Sequence, residues 1–474
     1  MSLLAQLSGT ELRLLRQRRK LSQAKLALLL DVPQAHLSQW ELEKIPVSDG
    51  IADRVHSLLG NLADTEVERL RKKRYQFHEY VVGNNGTKRT TTHSQSAIEA
   101  NREYVAQLTK LEAGRHSVHA DAPRVIALFA GCGGLSLGFS WAGFRVQGCV
   151  ELQPDFRAIY KQNFPETREL GSDITRISDD EVAQWAASFG PIDVLFGGPP
   201  CQGFSLTGKR DRFDPRNQLF RDFVRVAKIL RPRAVLLENV RLLTSMKSKD
   251  GNWVTDEIGE AFREFGYQMV HKELDAQDYG VPQHRERVFF VGVRSDLGLR
   301  PSLPLPTHGK SNNGDLFASG LHPLRTFRVA TCDLDALESG EKSDRDQWHE
   351  AVAHPKHVIE WLKDVPEGVS AHDNPDPAMR PPSGYNTTYK RLCWDEPAST
   401  VSTTFGMISG CRNVHPTNTR SLTVREALRC QSFPDTFKLT GTLGAIRTSI
   451  GNAVPPLLGH ALASHLKQIL LRQD

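Results

Sequence analysis

The spacing of apolar residues along the chain changes near residue 124. Over residues 10–60, leucines recur at helical spacing, as at Leu12 and Leu15, which predicts short amphipathic helices. Beyond residue 124, apolar runs of strand length alternate with helical patterns; the runs are VIALFA, VQGCVE, IDVLFGG, AVLLENV and RVFFVGV. That alternation predicts an α/β fold with a doubly wound, mostly parallel sheet.

Changes in composition divide the 474-residue chain further, since it is too long for one ordinary core. We expect an all-α unit at 1–60, then a charged and polar linker with one helical segment at 61–122. The α/β unit at 123–297 gives way to a smaller, irregular module at 298–400, rich in Pro, Gly, Asn and Asp. The last segment, 401–474, completes that module and ends in an amphipathic helix that returns to the α/β domain.

The N-terminal unit has the pattern of a helix-turn-helix domain. Ser22 can cap one helix, and a tight turn that includes Asp31 separates this helix from the next. The apolar faces of the two helices consist of Leu26, Leu29 and Leu30, and of Leu37 and Trp40. A small helical bundle for dimerisation or docking is the alternative interpretation.

The same unit resembles the Xre/Cro-like helix-turn-helix family. The match rests on Leu21-Ser22-Gln23 and Trp40-Glu41, while Asp31 and Pro33 depart from the usual turn residues. The resemblance implies DNA binding through four side chains on or near the exposed face of the second helix, namely Gln34, His36, Ser38 and Gln39. It also suggests a homodimer formed through this domain and an inverted-repeat operator, such as the chain's own promoter DNA.

The charge distribution and the cysteine content indicate which binding partners and which kinds of site to expect. The net charge is only +5, but basic residues cluster, as in RLRKKR at Arg69–Arg74, and such clusters favour a polyanion unless they are simply solvated helix faces. The seven cysteines include no C-x-x-C pair, which argues against a disulfide framework or a zinc site. No signal peptide or membrane-spanning run is evident. We expect a bacterial cytoplasmic protein that binds no metal and no membrane.

A glycine-rich turn, FAGCGG, follows the first predicted strand. Gly131, Gly133 and Gly134 allow a tight turn and a close approach of a ligand to the backbone. Glu151 ends the next strand, where an acid in such folds binds ribose hydroxyls, although a surface carboxylate is the plainer alternative. The turn lacks the Lys-Ser/Thr ending of a P-loop, so the pattern favours a nucleoside without a phosphate chain.

A cysteine is presented at the same edge of the sheet. Cys201 follows Gly-Gly-Pro-Pro at the end of the strand predicted over IDVLFGG, and the prolines restrict the backbone before it. Glu238 lies at the end of the next strand, so a thiol nucleophile and a carboxylic acid share one edge. Arg285 and Arg287 stand two apart at the start of a later strand and therefore face the same side. Packing or a salt bridge could explain any one of them, but hardly all four.

The blocks appear in a characteristic order: FAGCGGLSLGF, VEL, SDI, GGPPCQGFS, LLENV, QHRER, LTVREALRCQSFPDTF and GNAVPP. In this order they resemble the DNA cytosine-5 methyltransferases of bacterial modification systems, with one departure at Ala127, where many members carry Asp. The resemblance implies the S-adenosylmethionine-dependent methyltransferase fold and S-adenosyl-L-methionine as the cofactor. It also implies double-stranded DNA as the substrate, with residues 298–400 as a target recognition domain that reads the major groove.

The resemblance also implies a role for each candidate residue. Cys201 would add to C6 of a flipped-out cytosine, Glu238 would engage N3, Arg287 would hold O2, and Arg285 the backbone beside the base. Gln202 and Ser205 would belong to a mobile loop that contacts the DNA. Cofactor binding would fall to Phe129, Gly131, Gly133, Gly134, Leu135, Glu151, Asp173, Ile174, Pro199, Asn452 and Val454.

Two other functions compete with DNA methylation. A tRNA cytosine-5 methyltransferase would share the catalytic blocks, but such relatives usually depart from the Gly-Phe-Ser that here follows Cys-Gln. A transcription regulator on an inactive methyltransferase scaffold would share the helix-turn-helix, but the catalytic residue types are intact. The sequence therefore favours a DNA methyltransferase, with regulation of transcription as a second activity.

Overall fold

The computed structural model describes most of the chain. The described residues are 7–19, 21–41, 45–60, 92–115, 121–200, 215–247, 251–309, 320–382 and 387–471.

Four helices form the N-terminal unit: α1 (Gly9–Arg18), α2 (Gln23–Leu29), α3 (Gln34–Glu41) and α4 (Asp49–Leu59). Ser22 caps α2 as predicted, since its hydroxyl accepts the backbone N–H of Lys25 at 3.1 Å. Asp31 has a left-handed φ of 50° in the turn before α3. The predicted core role of Leu29 is wrong, because α2 turns this side chain outward and leaves it 43% exposed.

A seven-stranded sheet forms the centre of the α/β unit. Its strands are β1 (Arg124–Leu128), β2 (Arg145–Val150), β3 (Arg168–Gly171), β4 (Val194–Gly197), β5 (Ala234–Val240), β6 (Tyr267–Asp275) and β7 (Glu286–Arg294). The spatial order is β3-β2-β1-β4-β5-β7-β6, and β7 runs antiparallel to both of its neighbours. The predicted mostly parallel sheet is confirmed, and the carboxyl ends of β1 to β5 share one edge.

Helices cover both faces of this sheet. The remaining α-helices are α5 (Gln95–Gly114), α6 (Gly134–Trp141), α7 (Pro154–Asn163), α8 (Asp179–Phe189), α9 (Pro215–Leu230), α10 (Val254–Arg263), α11 (Phe327–Thr331), α12 (Lys356–Leu362), α13 (Val424–Cys430), α14 (Leu443–Asn452) and α15 (Pro456–Leu471). Short 3₁₀ helices occupy Ile174–Arg176, Arg241–Ser245, Ala276–Tyr279, Ser295–Leu297, Ala371–Asp373 and Pro377–Met379.

Strand β1 shows why its sequence is apolar throughout. Val125 and Ala127 pack into one hydrophobic core with the C-terminal helix α15, whereas Ile126 and Leu128 pack into a second core on the other face. Successive side chains of a strand point to opposite faces, so a sheet covered on both sides needs continuous apolar runs. The edge of the sheet, rather than either face, is therefore left for binding.

Helix α5 is part of the α/β unit rather than a tether. Tyr104 and Leu108 are buried in the main core, and the Tyr104 hydroxyl donates to the carbonyl of Arg429 at 2.6 Å. Asn101 donates to the carbonyl of Val329 at 3.0 Å and to the carboxylate of Asp333 at 2.9 Å. The helical segment expected within the 61–122 linker is thus present, and it connects the main core of the α/β unit with the region around α11.

A fragment that begins at Asp121 is expected to be less stable than one that begins at residue 92. Removing α5 exposes the core surface covered by Tyr104 and Leu108, which together contribute roughly 3 kcal/mol or more. Thermal unfolding of the two fragments measures this difference. Equal melting temperatures would contradict the assignment of α5 to the core.

The smaller module contains a core of its own around α12. Its members are Val358, Leu362, Val365, Val369, Ala371, Tyr389, Ile408 and Val414. A two-stranded parallel sheet, β8 (His308–Gly309) and β9 (His322–Pro323), lies before it in the chain. The region has little regular structure, as its composition indicated, and its core extends to Val414, within the segment 401–474 that was expected to complete the module.

Candidate active site

A cavity of about 870 Å³ opens at the carboxyl edge of the sheet. It is enclosed by the turn after β1, the ends of β2, β4 and β5, the start of β7, and helix α14. The predicted site residues that line it are Phe129, Gly131, Gly134, Leu135, Glu151, Asp173, Ile174, Pro199, Glu238, Arg285, Arg287, Asn452 and Val454. Gly133 lies in the same turn without lining the cavity. The fold therefore gathers residues more than 300 positions apart in the sequence.

The glycine-rich turn needs its glycines for two reasons. Gly133 has a left-handed φ of 98°, and an added Cβ would lie 2.4 Å from the ring of Phe164. A Cβ on Gly134 would lie 2.3 Å from the carbonyl oxygen of Val454. The head of α6 can thus pack directly against the GNAVPP block. Phe129, just before the turn, has a φ of 53°, a strained conformation for a residue other than glycine.

Glu151 joins the end of β2 to this turn. One carboxylate oxygen accepts the backbone N–H of Gly131 at 2.7 Å, and the other accepts that of Gln153 at 2.8 Å. Burial raises the pKa of the Glu151 carboxyl above its usual value, while these backbone donors act in the opposite direction. Each carboxylate oxygen has a further lone pair, so the group can also accept hydrogen bonds from the hydroxyls of a ligand.

Asp173 lies beside the end of β3. Its carboxylate accepts hydrogen bonds from the backbone N–H of Thr175 at 3.0 Å and from the Thr175 hydroxyl at 2.7 Å. These bonds fix the short helix Ile174–Arg176. Ile174 is buried at the start of this helix and lines the same cavity. The pair thus offers an acceptor beside an apolar surface, a suitable combination for the amine and ring of a purine.

Glu238 and Arg287 form an ion pair in the wall of this cavity. The Nε atom of Arg287 is 3.1 Å from a carboxylate oxygen of Glu238, and both side chains are largely buried. Burial raises the pKa of Glu238, although Arg287 and Arg285 both favour its ionised form. A Cβ on Gly198 would lie 2.8 Å from the other carboxylate oxygen. The carboxyl group therefore lies directly beside the backbone that leads to Cys201.

Arg285 is fully buried behind this pair. Its guanidinium donates to the carbonyl of Val401 at 3.2 Å and to that of Gly451 at 2.9 Å. Burial and the neighbouring Arg287 lower the pKa of Arg285 to about 9. The sequence resemblance implied a contact with the backbone beside the base; in this structure Arg285 contacts the protein's own backbone and joins the start of β7 to α14.

The sequence of the chain was compared with those of known protein families. The C-5 cytosine-specific DNA methylase model matches residues 123–468. The chain belongs to that family. A helix-turn-helix model matches residues 12–62, so the N-terminal resemblance is confirmed as well.

Individual relatives of this methylase agree with the family match. The Type II methyltransferase M1.HphI of Haemophilus parahaemolyticus is 39% identical over 343 residues, which cover 71% of this chain and 85% of the relative. The Type II methyltransferase M.DdeI of Desulfomicrobium norvegicum is 32% identical over 380 residues, which cover 72% of this chain and 88% of the relative. A crystal structure of a candidate DNA modification methyltransferase encoded within an E. coli prophage has a TM-score of 0.58 at 26% identity and covers 74% of this chain and 99% of that one.

One positioning residue of the methylase was not predicted from the sequence. Asn239, buried at the end of β5, donates to the carbonyl of Pro199 at 2.9 Å and accepts the backbone N–H of Val240 at 2.8 Å. It therefore holds the Pro-Pro segment against the strand that carries Glu238. Its place beside Glu238 in the LLENV block is the signal that could have identified it.

The apolar residues that line the cavity were also not predicted from the sequence. Further side chains there include Leu152, Phe156, Leu219, Val240, Leu242 and Met246. Apolar walls with a few convergent polar groups are typical of small-molecule sites. No motif spacing marks these residues, because they come from several different loops and elements.

Three predicted residues, Cys201, Gln202 and Ser205, lie outside the described part of the chain. Pro199 and Pro200, which directly precede Cys201, line the cavity. The last residues described before the gap that contains Cys201 therefore lie in the wall of the cavity that Glu238 and Arg287 also line.

The predicted DNA-contacting residues of α3 lie on its outer side. Gln34, His36 and Gln39 are exposed and Ser38 is half-buried. Leu37 and Trp40 are buried in the core of the N-terminal unit, as predicted. Glu41, at the end of α3, is buried and accepts hydrogen bonds from Arg16 at 2.5 and 2.9 Å and from Gln23 at 2.9 Å. These bonds fix α3 against α1 and α2.

Within the described ranges, no helix combines the length and the apolar character needed to cross a bilayer. In the same part of the chain, no group of three or more His, Cys, Asp and Glu side chains is arranged to hold a metal ion.

Proposed function

We propose that this methylase transfers a methyl group from S-adenosyl-L-methionine to C5 of a flipped-out cytosine within a specific sequence of double-stranded DNA. The observation that carries this proposal is the Glu238–Arg287 pair, which shares one cavity with the Gly-rich turn and Glu151. One half of the cavity suits a nucleoside cofactor, and the other half suits the polar edge of a base.

The residues of the cofactor half fit S-adenosylmethionine. Phe129 offers an aromatic face to adenine, Glu151 can accept the ribose hydroxyls, and Asp173 can accept the adenine amine. Asn452, exposed at the end of α14, offers an amide for the methionine end. When bound, the cofactor supplies a methyl group that is activated by its positive sulfur.

In the half of the cavity that suits the base, each residue is assigned one step of the reaction. The Cys201 thiolate adds to C6 while Glu238 donates a proton or a hydrogen bond to N3, so the C5–C6 double bond becomes an enamine with a nucleophilic C5. Arg287 orients Glu238 and can donate to O2 of the base. After methylation, a base removes the C5 proton and the thiolate leaves as the double bond forms again.

Two features of the sequence favour DNA over tRNA as the proposed substrate. Gly-Phe-Ser follows Cys-Gln without change, and a helix-turn-helix domain precedes the methylase domain. The relatives named above are Type II methyltransferases, which supports a role in a restriction-modification system in the bacterial cytoplasm. The intact pair of Glu238 and Arg287 argues against an inactive scaffold.

Bisulfite sequencing of DNA from cells that express the chain tests this function. We expect protected cytosines at one recurring sequence, with none in cells that express the Cys201→Ser variant. DNA without added protection, together with methylated cytosine in tRNA from the same cells, would favour the tRNA alternative.

The N-terminal domain supports a second activity, repression of the chain's own promoter as a homodimer. The exposed Gln34 and Gln39 can donate and accept hydrogen bonds at base edges. Replacing both with Ala should weaken operator binding by roughly 1–3 kcal/mol for each base that the side chains no longer reach, with little change in methylation. Gel shifts on upstream DNA, beside methylation assays on unrelated DNA, measure the two effects. Equal loss of both activities would contradict a separate regulatory role.

A further inference from the structure

Arg447 on α14 lies close to the active site, and among the described residues it has no ion-pair partner. Across the described ranges, no hydrogen bond or ion pair joins it to another residue, and its Nε atom is enclosed without a partner. Burial lowers the pKa of the Arg447 guanidinium, and no neighbouring carboxylate opposes that effect within the described ranges. A partly desolvated charge without a partner is unfavourable, so this site is better suited to a state in which an anion is bound.

The position of Arg447 follows from the geometry of α14. The cofactor cavity is lined by Ala445, Thr448, Ser449 and Asn452 of this helix. Arg447 and Gly451, one turn apart, share a different face, which packs against residues 402–410, called here the 402–410 loop. A Cβ on Gly451 would lie 2.4 Å from the backbone nitrogen of Thr403, and one on Gly406 would lie 2.5 Å from the Cζ atom of Arg447. The guanidinium therefore lies directly against Gly406.

The 402–410 loop leads from the catalytic residues to the surface. Val401, just before the loop, accepts the hydrogen bond from buried Arg285. Tight turns then follow, with Phe405 N–H bonded to the carbonyl of Ser402 at 3.2 Å and Met407 N–H to that of Thr404 at 2.7 Å. Met407 is 57% exposed. A ligand that reaches both the catalytic pair and this loop would pass beside Arg447.

Among the described residues, the other charged groups near Arg447 do not supply an anion that could pair with it. Arg420 is buried, and its own partner is Glu426, at 2.8 Å. The pKa of His354 is lowered by burial and by both Arg420 and Arg447, so this histidine is neutral at physiological pH. Arg412, two residues beyond the loop, is an exposed cation. The surroundings of Arg447 are thus electropositive, and an external anion is the matching partner.

The substrate itself carries such an anion at every nucleotide. We propose that Arg447 binds a backbone phosphate of the DNA near the target cytosine, between α14 and the 402–410 loop. Arginine suits this role because its planar guanidinium can donate two parallel hydrogen bonds to phosphate oxygens. The contact adds affinity and fixes the position of the duplex, but it reads no sequence. This inference rests on DNA as the substrate of the proposed reaction.

The salt dependence of DNA binding tests the proposal. The full chain and its Arg447→Gln variant are compared through KM for duplex DNA in methyl-transfer assays at salt concentrations of about 50–200 mM. Removal of one phosphate contact should reduce the slope of log affinity against log salt by about 0.9. We expect KM to rise about tenfold at the lowest salt, while kcat at saturating DNA stays within about twofold of the wild type because Arg447 contacts no reacting atom.

Three further variants separate phosphate binding from a structural role. Arg447→Lys keeps the charge and should restore the slope. Arg145→Gln removes an equal charge at the amino end of β2, on the opposite edge of the sheet, and should change neither quantity. Gly406→Ala displaces the guanidinium without removing it, so it should raise KM in the wild-type background and add little to Arg447→Gln.

The outcomes are distinct. An unchanged salt slope in Arg447→Gln, or a fall in kcat with constant KM, would overturn the phosphate contact. An equal fall of the salt slope in Arg145→Gln would also overturn the phosphate contact, because the loss of one net charge would then explain the weaker salt dependence. If the wild-type chain methylates no DNA at all, the proposed function fails first and this inference fails with it.

Discussion

Replacing Cys201 with Ser is expected to reduce methyl transfer by more than about a thousandfold, as the loss of a nucleophile does in other enzymes with covalent catalysis. The thiolate starts the reaction by adding to C6, and a serine hydroxyl is a much weaker nucleophile at neutral pH. Cofactor affinity should stay near that of the wild type, because the residues assigned to the cofactor are unchanged. Transfer of labelled methyl groups to DNA and calorimetric titration with the cofactor measure the two quantities.

A matched control is available in Cys393→Ser. Cys393 is a half-buried thiol of the smaller module and lies outside the lining of the active-site cavity. This variant should keep wild-type activity. A Cys201→Ser enzyme that retains a tenth or more of the normal rate would exclude the covalent mechanism.

Replacing Glu238 with Gln is expected to reduce kcat by about 10²- to 10⁴-fold, the usual contribution of a general acid. Glutamine preserves the shape of the side chain and can donate a hydrogen bond to N3, but it cannot transfer a proton. Burial favours the neutral form of Glu238 and raises its pKa, so the group keeps its proton to a higher pH than an exposed glutamate does. Wild-type activity should therefore fall as the pH rises through this elevated pKa.

The pH profile separates this role from a structural one. The Gln variant should lack the decline assigned to Glu238, whereas Glu286→Gln, a change at the neighbouring half-exposed carboxylate, should retain both the decline and the rate. A Glu238→Gln enzyme with an unchanged rate, or with the same decline at high pH, would remove Glu238 from the catalytic step.

The sheet edge could be predicted from the sequence because strand ends are local features. Apolar runs locate β1, β2, β4 and β5, and parallel strands place their carboxyl ends together. The turn residues, Glu151 and Glu238 follow directly from that rule. Their convergence on one cavity in the structure agrees with the sequence-based site.

The contacts of Arg285 could not be predicted from the sequence. The two-residue spacing indicates correctly that Arg285 and Arg287 line one cavity. It does not indicate that only Arg287 reaches Glu238 while Arg285 is enclosed by Val401 and Gly451. Those two carbonyls lie 116 and 166 residues further along the chain. Burial of this kind depends on long-range packing, which no local pattern encodes.

Helix α5 illustrates the same limit. Its helical pattern is visible, but its polar flanks suggest a linker. The hydrogen bond that ties it to the core joins Tyr104 to Arg429, 325 residues away. Arg447 was missed for a related reason, since an arginine that lacks a partner among the described residues can be recognised only when its surroundings are known.

The most direct measurement of the central claim is a covalent trap. Duplex DNA with 5-fluorocytosine at the methylated position is incubated with the enzyme and S-adenosylmethionine, and the product is digested and mapped by mass spectrometry. Fluorine cannot leave C5 as the proton does, so we expect a stable adduct that links Cys201 to C6 of a methylated base. If an enzyme that methylates ordinary DNA forms no adduct, or forms it at another residue, the proposed mechanism is wrong.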